Sequence, residues 1–422
     1  MEANTALINN EAITFGLLMA ILGLVFYFSS RDKYAGFFRV IPALLLCYFL
    51  PSLLTSFGLV SADNNLYFVA SRYLLPASLI LLTLSIDLKA VIGLGPKALI
   101  MFFTATAGII LGGPIALLIT SAVAPDLLGG VGPEALWRGL STVAGSWIGG
   151  GANQAAMYEI FQPTDGLYSV MITVDVIVAE IWMAFILIGA AKSDKIDQWL
   201  RADNSSVKTL QNKMEDFIAR TAKIPTLSDV MMILGIAFSG VALAHVAGDY
   251  VAPWFAEHYP YTANFSLTSA FFWIVIVATS IGLLLSFTRV RQLEGAGASR
   301  LGSVFIYILV GTIGMKMDIR EVFNEPGYFA VGLLWMIFHV ATLILVARLI
   351  KAPFFFVAVG SKANIGGAAS APVVAAAFHP SLAPVGVLLA VVGYAVGTYG
   401  GWLTAFLMHL ASGDPCPLML GS

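Results

Sequence analysis

A chain of 422 residues that is 59% hydrophobic and only 11% charged cannot clothe a globule in water-facing groups, because soluble domains carry about 25% Asp, Glu, Lys and Arg. The 22 basic and 24 acidic residues nearly cancel, to a net charge of −2, and form no basic stripe. Composition therefore excludes a cytosolic enzyme, a secreted disulfide scaffold and a nucleic-acid binder, and points to an all-α polytopic membrane protein.

The opening segment, MEANTALINNEA, has no basic region and no small-residue cleavage site, so it reads as a short tail before a first span. Apolar runs of the roughly 20 residues needed to cross the hydrocarbon core follow at 12–30, 38–60, 66–86, 97–124, 167–191, 228–248, 265–288, 300–317, 328–350 and 383–410. Cys47 lies in the second run and Cys416 in the tail; with no CxxC or CxxH neighbour, both read as filler. Two further apolar stretches, 136–162 and 353–379, are interrupted by Gly149, Gly150 and Gly151 and by Gly366 and Gly367. Adjacent glycines weaken a helix and admit left-handed backbone, so each stretch is expected to be two half-helices around a break. The one long polar segment, 192–226, reads as an amphipathic surface helix and linker between two halves.

Charge orients these spans. The intervals 31–39, 87–97, 192–226, 289–300 and 348–351 hold 17 of the 22 Lys and Arg, whereas 61–66 and 249–264 hold none. The rule that positive loops stay inside puts the first set in the cytoplasm, provided that 136–162 enters and leaves on one side. The glycine-broken stretches are therefore expected to be re-entrant hairpins, giving ten spans and both termini outside.

Landmarks recur in order along the chain. The segment LSIDLKAVIGLGPKALIMFF from Leu84 resembles GMKMDIREVFNEPGYFAVGL from Gly314, and GSWIGGGANQAAMYEIFQP from Gly145 resembles GSKANIGGAASAPVVAAAFHP from Gly360. Each half, 1–191 and 227–422, then holds five spans and one hairpin. Five is odd, so the second copy must be inserted upside-down. Inverted repeats with broken helices meeting at the midplane are the pattern of secondary transporters.

On GSWIGGGANQAAM and GSKANIGGAASAP, the chain as a whole resembles the bacterial membrane proteins grouped as domain of unknown function 819. Its layout, with Gly149–Gly151 and Gly366–Gly367, is similar to that of the glutamate:sodium and 2-hydroxycarboxylate symporters. The second resemblance implies inverted five-span repeats with a glycine-glycine motif at each hairpin tip, and a sodium-coupled, dimeric, elevator-type transporter. Substrate identity does not follow from it.

A helix break at membrane depth exposes peptide groups that lipid cannot satisfy, so it must be buried in protein or face a hydrated cavity. The polar residues around the first break are Thr142, Ser146, Asn153 and Gln154; around the second they are Ser361, Lys362, Asn364 and Ser370. Hydroxyl and amide oxygens suit Na⁺, and amide N–H groups suit a carboxylate; the same groups could equally serve to cap the half-helices. Lys362 is placed to contact an anionic solute or to reach water at the cytoplasmic side. Asp175 and Glu180 lie deep in the 167–191 run, about 140° apart on a helix, with Thr173 on the side of Glu180. Intramembrane carboxylates suggest a cation or proton site, unless one pairs with Arg72 or Arg300. The matching run at 383–410 has no acid and offers Tyr394, Thr398 and Tyr399, so one principal cation site near Asp175 is expected. Asp87 and Asp318, near Lys89 and Arg320, read as helix-end residues in surface pairs.

The leading expectation is a sodium-coupled symporter of a small polar or anionic solute such as an amino acid, a carboxylate or a small peptide, in the inner (plasma) membrane. A transport domain of 66–190 and 298–412 would move against a scaffold of 12–60 and 228–288. Na⁺/H⁺ antiport without an organic substrate is the alternative, with H⁺ as the alternative coupling ion. No cofactor, transition metal or enzymatic activity is expected: Ser146 has no His placed to activate it, and the five histidines lack paired spacing. The expected partners are the solute, the bilayer and a second copy of the chain. A cysteine introduced near Asp165 is expected to react with an impermeant maleimide outside intact cells. Labelling only from the cytoplasmic side would refute the hairpin topology.

Overall fold

The computed structural model describes residues 6–41, 43–61, 65–210, 225–265, 267–316, 326–379 and 382–414. Among them helices dominate and no strand occurs; a lone bridge joins Ile8 to Val60. The main helices are α1 (Glu11–Ser29), α2 (Ala43–Ser56), α3 (Leu66–Leu84), α4 (Pro96–Val123), α5 (Leu136–Gly149), α6 (Gly151–Phe161), α7 (Asp165–Ala190), α8 (Leu227–His258), α9 (Ala270–Ser286), α10 (Ala298–Gly314), α11 (Gly327–Leu349), α12 (Phe354–Asn364), α13 (Gly367–Phe378) and α14 (Ala383–Ser412). Seven of these, α1, α3, α4, α7, α8, α11 and α14, are long and apolar enough to cross a bilayer. An eighth is added if α9 and the turn Arg289–Ala296, bent by 96°, form one span. The chain is thus a multi-pass membrane protein. α2 and α10 are shorter apolar helices; α2 is cut back because the segment 38–60 breaks at Ile41, the end of a short helix from Ala35.

Local chemistry explains several ends. Asn10 accepts from the first amides of α1, Thr164 caps α7, and Thr226 with Asp229 forms a reciprocal capping box on α8. Asp87 caps a short helix and pairs with Arg291 rather than with its neighbour Lys89. Asp318 and Arg320 lie outside the described residues. Within the expected linker helix, Ser193–Leu200 is helical, and 211–224 lie outside the described residues. Lys97 reaches the carbonyls of Asp203 and Lys351 and the Asp203 carboxylate, all at 3.2 Å. Hydrogen bonding from Ser205, assisted by Lys97, holds the exposed Asp203 carboxyl down at about 2.

Both glycine-broken stretches are helical hairpins. Arg138 near the start of α5 donates to the Phe161 carbonyl at the end of α6 at 2.6 Å, and Thr164 N–H bonds the Pro133 carbonyl. Phe354 and Phe355 at the start of α12 likewise pack on Phe378 at the end of α13. Gly150 turns the first hairpin with φ 76° and ψ −173°, a backbone region essentially reserved for glycine. The second turns through Gly366 and Gly367, at φ 97° and 54°.

The helices sort into two bundles. In the first, α3 packs against α8, α9 and α10, with α1 and α2 against α10. These contacts are close because glycines face backbone: a Cβ on Gly282 would sit 2.5 Å from the Ile80 carbonyl oxygen, and one on Gly314 at 2.2 Å from that of Tyr48. The second, the hairpin bundle, gathers α4, α7, α11, α14 and both hairpins. Its Gly360 abuts the backbone of Met101 and Phe102. Helices α3 and α10 pack mainly with α1, α2, α8 and α9 and also touch the first hairpin at α6.

One close approach in the hairpin bundle lies at Gly149. A Cβ there would stand 2.7 Å from both the Gly393 carbonyl oxygen and Gly397 Cα. Gly149→Ala is expected to lower stability by about 1–3 kcal/mol, the usual cost of overpacking, measured by denaturation in detergent. Gly23→Ala, whose Cβ meets nothing within 4 Å, is expected to be neutral or stabilising.

Candidate functional site

The site begins with α7, which passes both hairpin tips. Asp175 is 5% exposed at its middle, and its Oδ2 accepts a 2.9 Å hydrogen bond from Gln154 Nε2 on α6. Ser146 and Trp147 of α5 stand beside the same carboxylate. Tyr48 of α2 donates to Gln154 Oε1 at 3.3 Å, so a phenol, an amide and a carboxylate form one chain of hydrogen bonds. One helical turn along α7, the carbonyl of Ala179 accepts from Lys362 Nζ at 3.4 Å. Lys362 is completely buried and its ammonium lies near the Gly366 turn. It falls within electrostatic reach of Glu180, which is half-buried, and then of Asp175. A cluster with two carboxylates and one ammonium favours a further cation.

Both tips also meet on α14. A Cβ at Gly393 would lie 3.0 Å from the Ile148 carbonyl oxygen and 3.1 Å from that of Ala363. These belong to the last turns of α5 and α12, where helix dipoles present their negative ends. The absence of a side chain at Gly393 lets two half-helices aim carbonyls at one point.

The remaining expected residues are bonded elsewhere. Asn153 Nδ2 donates to the carbonyls of Gly149 and Tyr394, both at 3.0 Å, and its Oδ1 accepts from Thr398 at 2.6 Å. Asn364 bonds Thr106, Phe102 and Gly360, which ties the second tip to α4. Ser361 lies between Trp182 Nε1 and His339 Nε2, each at 2.8 Å. The Ser370 hydroxyl turns back on the Ile365 carbonyl, Thr142 on Gly139, and Thr173 on Ser169. The structure thus gathers Ser146, Gln154, Asp175, Glu180 and Lys362, and uses Asn153, Ser361, Asn364 and Ser370 to hold the hairpins in place. A groove of about 370 Å³ between α1 and α10 is lined by Phe26, Arg300 and Tyr307 and by none of these residues.

Two participants escape sequence reasoning. Tyr48 and His339 sit in runs that look like plain apolar spans, and only packing brings them to the hairpins. Glu159 was legible: it is the only charged residue between Gly139 and Gln162. It pairs with Arg72 at 3.6 Å and accepts from Tyr67, so the partner considered for Asp175 or Glu180 belongs to a different acid.

The chain belongs to the family described as "Protein of unknown function (DUF819)", whose model matches residues 16–410. It is also similar to the "Uncharacterized membrane protein YjcL" of Bacillus subtilis (strain 168), at 24% identity over 371 residues, which cover 84% of this chain and 87% of that protein.

The bond from Thr398 to Asn153 crosses from α14 to the first hairpin. Thr398→Val keeps the shape and leaves a buried oxygen without its donor. It is expected to lower stability by about 1–2 kcal/mol in detergent, and Thr398→Ser to restore most of it.

Proposed function

We propose that this protein is a secondary active transporter that couples Na⁺ to movement of a small polar or anionic solute. The observation that carries the reading is the convergence of two glycine-broken hairpins, one from each half, on buried opposite charges: Asp175 beside the first tip and Lys362 beside the second. Buried charges in a span are costly and are kept where ions or substrates bind. The carboxylate of Asp175, the hydroxyl of Ser146 and the last carbonyls of α5 and α12 are hard oxygen donors of the kind that suit Na⁺. Lys362 and the amides that open α6 and α13 suit an anionic group of the solute.

The order of helices supports two copies inserted in opposite senses. Four helices, a hairpin and a last helix recur in each half, and α3 packs on α10 as α4 packs on α11. Two shorter helices, α2 and α10, complete ten spans in this reading, with both termini outside and the hairpins re-entrant. The hairpin bundle is the moving part and the bundle of α1–α3 and α8–α10 is the scaffold. An inner-membrane dimer with elevator motion completes the proposal on the strength of the symporter resemblance.

In purified protein, Na⁺ in place of choline is expected to raise the unfolding temperature, with stabilisation of about 2.7 kcal/mol at a hundredfold excess over Kd. Asp175→Asn is expected to remove that rise. Amino acids, carboxylates and short peptides screened with and without Na⁺ then identify the solute class by a further, Na⁺-dependent rise. Full Na⁺ response in Asp175→Asn would place the cation elsewhere.

A further inference from the structure

A second buried acid lies at the boundary between the two bundles. Glu159 sits on α6 in the hairpin bundle, while its partners sit on the other side. Tyr67 donates to one carboxylate oxygen and Arg72 Nη2 stands 3.6 Å from the other, both from α3. Lys316, just past α10, lies over the Tyr67 ring at 3.6 Å and within electrostatic reach of Glu159. From α7, Asp165 faces the same carboxylate and is itself bonded by Tyr158.

The pair is unequal. The Arg72 side chain is 29% exposed and Glu159 only 6%. Arg72 is also independently held: its guanidinium covers the Phe271 ring at 4.4 Å, and His245 bonds its carbonyl at 2.8 Å. It lies in a π-helical turn, Ala70–Leu74, of the sort that concentrates at functional positions. If the bundles separate, Arg72 keeps its aromatic face, whereas Glu159 is a buried charge that loses both cations facing it, Arg72 and Lys316. Such a charge is strongly unfavourable unless another positive charge replaces the lost one.

We propose that Glu159 is a second monovalent-cation site, occupied by H⁺ or Na⁺ when the first hairpin leaves Arg72, so that breaking this ion pair loads a cation. The inference rests on the relative movement of the two bundles proposed above, but not on Asp175 being the first cation site.

The test uses proteoliposomes on a solid-supported membrane, recording charge displacement after a Na⁺ jump at fixed pH and after a pH jump in choline. Arg72→Gln removes the competing charge, so the cation that Glu159 takes is expected to act at about tenfold lower concentration; misfolding cannot produce that gain. Glu159→Gln, which preserves the bond from Tyr67, is expected to remove the response to that cation at this site. Loss in the pH jump identifies H⁺, and loss of one component of the Na⁺ jump identifies Na⁺. Responses of both variants within twofold of the unsubstituted protein overturn the Glu159 site. The Asp175 reading fails separately, if Asp175→Asn keeps its Na⁺ response.

Discussion

The close approach of both hairpin tips to Gly393 and Gly397 of α14 is the contact on which the interior depends. Two helices that stop in the middle of an apolar protein leave peptide groups that neither lipid nor aliphatic side chains can satisfy. Backbone-to-backbone packing at glycine solves this for the first tip: Gly149 lies against Gly397, and Asn153 reaches the Gly149 and Tyr394 carbonyls. The second tip is pinned on α4 through Asn364 and Thr106. With the turns fixed, the last carbonyls of α5 and α12 meet at one point, and the charged residues of α7 are held beside them.

The two halves use this frame differently. On the α14 side the polar contacts are neutral, running from Asn153 to Thr398 and on to Thr279 at 3.1 Å. On the α7 side they are ionic, with Asp175 on Gln154 and Lys362 on Ala179. The charge around the two hairpin tips thus lies on the α7 side.

Close backbone packing marks the interior of each bundle, and several polar links cross between the two. Inside, glycines let backbones touch, as at Gly282 on Ile80 and Gly360 on Met101, and such packing has little freedom to slide. Between bundles, apolar contacts such as Phe272 on Trp402 are joined by hydrogen bonds and an ion pair, among them Tyr48 to Gln154, Thr279 to Thr398, Ser280 to Tyr399 at 2.8 Å, and Arg72 to Glu159. Polar links of this sort can be exchanged for water, ions or other partners at modest cost.

The sequence by itself determined the medium, the order of helices and the two breaks, because hydrophobic run length and paired glycines act locally on the chain. It also singled out Asp175, Glu180 and Lys362, since a charge in an apolar run is conspicuous wherever the run ends up. Tertiary structure alone decided the partners. Ser361, Asn153 and Asn364 look like ligands in the one-dimensional pattern, yet they hydrogen-bond to α7, α14 and α4, which lie far away in the chain. Glu159 met Arg72, and α3 packed on α8, α9 and α10, through contacts between surfaces whose residues are separated by whole spans. Local propensity can break a helix, but which atoms fill the break depends on packing across the fold.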